Sequence, residues 1–192
     1  MSYEVVVCEM KLELLRAGIE LRGFLLCNPE GKILSKYCVG GDWNSIVALM
    51  ESGEAFYTKM YKKRAGYLSR ELYHQLKPYK QRTDKLSENA RKIYEFLQAI
   101  DFASTQEIKR TLMMSSSGFN RGLNELSAEL LITAVRRERT LNPRNGWCSF
   151  YWATASEWEK LKPESQVEQD TSRVYELLGT ILPENELERL LR

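Results

Sequence analysis

Histidine is almost missing from this sequence. His74 is the single one in 192 residues, so neither a histidine-rich metal centre nor the usual imidazole general base has its raw material. No Ser or Cys sits at a recognisable catalytic spacing from it, and it reads as an incidental helix residue. Cysteine is sparse too. Cys8, Cys27, Cys38 and Cys148 contain no C-x-x-C pair, which argues against a zinc site, and four are too few to staple a secreted scaffold. No apolar run approaches the roughly 18 residues of a membrane span, and no charged-then-apolar leader opens the chain. A reducing cytoplasm is therefore the expected compartment. Gly-rich phosphate loops, H-E-x-x-H and paired carboxylates in a defined motif are absent as well. The residues nominate no catalytic group, no metal ligand and no cofactor.

What is there is ordinary in amount and uneven in distribution. With 43% hydrophobic and 28% charged residues, the composition is that of a soluble globular protein, and a chain this long can bury roughly 70% of its extended surface. Net charge is only +2. Yet Tyr57 to Lys92 holds eleven Lys/Arg against Glu71, Asp84 and Glu88, for +8, while Ala155 to Arg192 holds nine acids against five bases, for −4. A basic middle and an acidic tail suggest one face prepared for a polyanion. Two solvated helix surfaces would give the same counts.

The most informative stretch is Ser104 to Ala153. Ser104 and Glu107 form a capping box, and Ile108 and Leu112 follow at helical spacing. Ser115 to Ser117 offer a second N-cap, after which Phe119, Leu123, Leu126 and Leu130 make one apolar stripe. Leu131 to Thr140 then reads as a strand, Asn142 to Gly146 as a tight turn, and Trp147 to Ala153 as a second strand. Helix, turn, helix and an arginine-bearing hairpin is the element order of a winged helix. Ser87 to Ile100 supplies its first helix.

The expected fold is thus α+β and helix-rich: a winged helix-turn-helix with an N-terminal α/β subdomain and C-terminal helices. The boundaries predicted are 1–80, 86–160 and 168–192, with Lys77 to Lys85 and Pro163 to Gln169 as linkers. Within the first unit, Tyr3 to Ala17 reads as a helix ending at Gly18, although its valines also permit a strand. Phe24 to Cys27 and Lys32 to Tyr37 read as the arms of a hairpin or irregular turn around Asn28 to Gly31. Trp43 to Met50 and Ala55 to Lys62 read as helices, Arg64 to Leu68 as a break, and Ser69 to Leu76 as a Ser-capped helix. Ser156 to Leu161, Thr171 to Leu182 and Glu184 to Arg192 complete the helices.

A winged helix places its second helix in the major groove and its hairpin on the backbone or minor groove. The polar face of that helix carries Asn120, Arg121 and Asn124, side-chain types that pair with adenine or guanine edges. The hairpin adds Arg136, Arg137, Arg139 and Arg144, suited to phosphate oxygens. Lys62, Lys63 and Arg64 form a further basic cluster. Double-stranded DNA is the partner these residues point to. A protein-contact role stays open, with Glu125, Glu129 and Glu138 neutralising the arginines and the C-terminal helices serving a homodimer or protein partner. Trp43, Trp147, Trp152, Trp158 and the tyrosines between Tyr57 and Tyr79 can stack bases or fill a core.

The run Phe56 to Ser69 (FYTKMYKKRAGYLS), followed by Glu71-Leu72-Tyr73, resembles a block found in small bacterial AlkZ-related proteins. Asp42-Trp43 is similar to a segment those proteins carry upstream. Phe119 to Leu126 resembles their second turn helix, and Gly146 to Tyr151 their last strand. The similarity spans Gly23 to Glu159. It implies winged-helix architecture and kinship with the AlkZ/YcaQ DNA glycosylases, which excise alkylated or crosslinked bases with a Gln-x-Gln or Gln-x-Asp motif. No glutamine here is followed two positions later by Gln or Asp, and Gln166-Val167-Glu168 is the nearest approach. The expectation is a DNA-binding relative without base excision, with an excision enzyme using an unrecognised site as the alternative.

Overall fold

Short polar side chains set the helix starts. In the computed structural model, which describes residues 3–138, 149–163 and 169–191, Asp42, Ser69, Ser87, Ser104, Ser115, Thr154 and Asp170 each accept a backbone N–H at the head of a helix. These are caps of the kind worth about 1 kcal/mol each. The helices are α1 (Tyr3–Arg22), α2 (Trp43–Glu51), α3 (Arg70–Leu76), α4 (Glu88–Gln98), α5 (Thr105–Thr111), α6 (Ser116–Ala128), α7 (Ala155–Leu161), α8 (Thr171–Leu178) and α9 (Glu184–Leu190). Among the described residues none is long and apolar enough to cross a membrane.

Two small antiparallel sheets lie among them. The first runs β1 (Phe24–Leu26), β3 (Gly66–Ser69), β2 (Ala55–Thr58), in that spatial order. Its residues are buried throughout, and their alternation feeds two cores. Leu25, Tyr57 and Tyr67 join a cluster that gathers Leu15, Ile46, Ile93, Phe119, Ile132 and Trp152. Phe24, Phe56 and Leu68 join another with Tyr73, Trp158, Val174 and Leu187. There Phe56 stacks on Tyr73 at 4.4 Å between centroids and meets Trp158 edge-on at 5.0 Å. The second sheet runs β4 (Ala103–Ser104), β6 (Phe150–Thr154), β5 (Ile132–Arg137), with a register shift between Ala134 and Arg136. From α4 to β6 the order is α4, β4, α5, α6, β5, β6. The chain is mixed α+β and rich in helix.

Several expectations give way here. Gly18 does not end the first helix, which continues to Arg22 and stops at Gly23, where φ is +71° and the N–H returns to the Ile19 carbonyl. Gly18 serves packing instead, since a Cβ there would sit 2.7 Å from that of Val39. Of the two forms expected for Phe24 to Tyr37, the structure has the irregular turn and not the regular hairpin. β1 pairs with β3, leaving only isolated bridges, Leu26 to Ser35 and Glu30 to Ile33. Ala55 to Thr58 is strand rather than helix, and the expected break before Ser69 contains β3. Both outcomes follow from aromatic neighbours at period two, Phe56 facing one core and Tyr57 the other, which a helix cannot arrange. The turn at Asn142 to Gly146 and Trp147 lie outside the described residues.

The sheets are joined at an edge. β2 ends the first sheet, so its outward backbone groups need partners from elsewhere. Thr133 of β5 supplies them: its Oγ1 accepts from Tyr57 N at 2.8 Å and donates to Tyr57 O at 3.1 Å, fully buried. The Thr58 hydroxyl donates to the Ser127 carbonyl of α6 at 2.9 Å. Gln81, within Lys77 to Lys85, is fixed by its N–H to the Glu129 carbonyl and by its amide to the Leu130 carbonyl. The leucines of α8 and α9 bury themselves in the second core of their own chain. Replacing Thr133 by Val keeps the shape and removes both bonds to Tyr57. Thr133→Val should lower the unfolding free energy by about 1–3 kcal/mol, read as a lower urea midpoint at constant slope. An unchanged midpoint would mean the strand edge does not need the hydroxyl.

Candidate nucleic-acid interface

Helix α6 is seated by glycine. Phe119, Gly122, Leu123 and Leu126 face inward, and a Cβ at Gly122 would lie 3.0 Å from the Ala90 nitrogen of α4. The two helices therefore touch backbone to backbone, which fixes the azimuth of α6 and turns its polar face outward. On that face Asn120 and Arg121 are exposed and Asn124 is half-buried. The Asn124 Oδ1 accepts from Lys59 Nζ at 2.6 Å, and desolvation lowers the pKa of this lysine. Lys59 leads out of β2, so the strand delivers a cation to the helix surface.

Beyond Lys59 the chain turns through Lys62 and Lys63, both in the left-handed region at φ +47° and +57°. Non-glycine residues rarely adopt this conformation, and two in succession store strain. The turn brings Lys63 to a depression of about 400 Å³ lined also by Arg121, Asn124, Glu125, Ala128 and Glu129. Its neighbours go elsewhere. Lys62 pairs with Glu30 at 3.2 Å and Glu186 at 3.4 Å, and Arg64 with Glu30. Hydrogen bonding, first with Tyr61 and then with Glu30, raises the Lys62 pKa. Of the three clustered cations, Lys63 is the one that joins Arg121 and Asn124.

The strands of the second sheet place another pair. Arg136 and Arg137 are exposed at the far end of β5. The Arg136 guanidinium lies over the Phe102 ring at 5.1 Å, and that ring meets Tyr151 edge-on at 5.6 Å. The Arg137 N–H donates to Glu51 Oε1 at 3.1 Å. Arg139 and Arg144 lie outside the described residues. Phe102 and Lys59 were not nominated from sequence. Phe102 carried a signal, an aromatic beside a capping box. Lys59 was hidden by a helical reading of its strand.

The carboxylates are not where charge pairing alone would put them. Glu125 accepts from the Ser87 N–H at 2.7 Å and from its hydroxyl at 2.6 Å, so it completes the cap of α4 from across the helix pair. The tryptophans Trp152 and Trp158 and the tyrosines Tyr57, Tyr61, Tyr67 and Tyr73 fill the cores. His74 sits on α3 with its ring edge-on to Tyr73 at 5.0 Å. Among the described residues no cluster of His, Cys, Asp and Glu could hold a metal ion. Glu125→Ala should cost about 1 kcal/mol through the freed cap, while Arg121→Ala, exposed at the same depression, should change stability by less than about 0.5 kcal/mol. Thermal unfolding of the two variants compares them. Equal losses would remove Glu125 from the capping role.

No curated protein and no solved structure matches the chain. A family model described as AlkZ related matches residues 41–192. The match takes in the C-terminal helices, which lay beyond the resemblance read from short motifs, and leaves out α1, β1 and the segment after them. The chain belongs to the AlkZ-related family.

Proposed function

We propose that this AlkZ-related chain is a winged-helix protein that binds double-stranded DNA and does not excise bases. The order α4, β4, α5, α6, β5, β6 supports the winged-helix reading, with α6 as the groove-reading helix and the β5–β6 ribbon as the wing. The observation that carries the proposal is the depression where Lys63, Arg121 and Asn124 converge. A point cation, a guanidinium and an amide there match phosphate and base-edge chemistry. Arg136 and Arg137 supply further phosphate contacts from the ribbon. The resemblance to the AlkZ/YcaQ glycosylases implies excision through a Gln-x-Gln or Gln-x-Asp motif beside an extruded nucleotide, and the chain has neither sequence.

Duplex affinity should fall linearly in log–log terms with salt, at a slope of about −0.9 per phosphate contacted. Anisotropy titrations should show a shallower slope for Lys63→Ala and for the triple variant Arg136→Ala, Arg137→Ala, Arg139→Ala. Arg121→Ala should instead alter discrimination between sequences by about 1–3 kcal/mol. Affinity indifferent to salt and to all these changes would overturn the reading. Duplexes carrying alkylated or crosslinked bases should emerge without abasic sites, and abasic sites would establish excision instead.

A further inference from the structure

Lys36 is among the largest side chains of the chain that are wholly buried, with no solvent exposure. A buried ammonium is costly unless something holds it, and none of the ion pairs found among the described residues involves this one. Its Nζ lies over the rings of Tyr37 at 4.3 Å, Trp43 at 5.5 Å and Tyr67 at 5.9 Å. The aromatic faces attract the cation, and they also aim it. Among the described residues, the hydrogen-bond partners of its Nζ belong to one residue, the Cys27 carbonyl at 3.4 Å and the Cys27 thiol at 3.3 Å. Cys27 is half-buried and is a free cysteine, and Lys36 approaches its sulfur from the interior. Both residues precede the stretch matched by the family model.

We propose that Cys27 and Lys36 form an oxidation-dependent covalent crosslink, a sulfenamide between Sγ and Nζ made in the presence of hydrogen peroxide. In the first step the Cys27 sulfur attacks peroxide. An S–O bond forms, the O–O bond breaks, water leaves, and the sulfur is oxidised by two electrons to the sulfenic acid. In the second step the Lys36 ammonium gives up one proton to the buffer and the neutral amine attacks that sulfur. An N–S bond forms, the S–O bond breaks, and hydroxide departs as water with a proton from the nitrogen. Sulfenic acids condense with nearby nitrogen in this way, and thiols reverse the product. The lysine stem is flexible enough to close the remaining gap, and the aromatic rings keep the amine on the sulfur. The bond would tie the end of β1 to the irregular segment leading to Asp42, the cap of α2.

Peptide mapping of the intact protein, with and without hydrogen peroxide and without reductant, tests this. Trypsin should yield Gly23–Lys32 joined to a peptide no longer cleaved after Lys36, lighter by the thiol and amine hydrogens and released by dithiothreitol. Cys38→Ser should retain the joined species. Lys36→Met should lose it and pass on to the Cys27 sulfinic acid. Lys36→Arg, which keeps a cation over the rings, should also lose the joined species, and it serves if the Met variant does not fold. A Cys27–Cys38 disulfide, an intact Lys36 cleavage site after peroxide, or equal Cys27 over-oxidation in wild type and Lys36→Arg would each overturn the proposal.

Discussion

The architecture depends on one hydroxyl placed at a strand edge. Tyr57 sits on β2, the last strand of its sheet, and offers both a donor and an acceptor to the interior. Unmet, those groups would cost more than most single packing contacts return. Thr133 meets both, and in doing so brings β5 against β2. The basic residues of the candidate interface are placed relative to that junction. β2 runs directly into Lys59 and the Lys62–Lys63 turn, β5 runs directly into Arg136 and Arg137, and the neighbouring Thr58–Ser127 bond ties α6 to the same line. The first core, which draws side chains from Leu15 to Trp152, closes around it.

Local signals in the sequence were read well where physics is local. Ser69, Ser104 and Ser115 are each legible as caps, because a cap needs only a short polar side chain and the next three residues. The turn pair α5–α6 and strands β5 and β6 were legible for the same reason, their apolar spacing matching one period. What stayed hidden was non-local. Gly66 to Ser69 is the centre strand of its sheet because it pairs with β1, from Phe24–Leu68 to Leu26–Gly66, far back along the chain, and Ala55 to Thr58 is a strand because it pairs with Gly66 to Ser69 in turn. Gly18 looked like a terminator because its true partner, Val39, is far along the chain.

The site divided along the same line. Asn120, Arg121 and Asn124 could be assigned to one helix face from spacing alone. The sequence could not say that Glu125, one position on, would be occupied in capping α4. Nor could it separate Lys63 from Lys62 and Arg64, since that sorting is done by the left-handed turn and by two distant carboxylates. Such sorting matters chemically: an arginine or lysine already held by carboxylates offers less to a phosphate than one that faces water beside an amide.

The clamp on Lys62 reaches furthest. Its two carboxylates come from opposite ends of the chain, Glu30 from the segment after β1 and Glu186 from α9. The basic turn is thus tied to both the amino-terminal and the carboxy-terminal regions, whose two carboxylates are not among the residues lining the Arg121 depression. A fragment cut back to the stretch from α4 to β6 would lose the Lys62 turn together with both carboxylates that hold it.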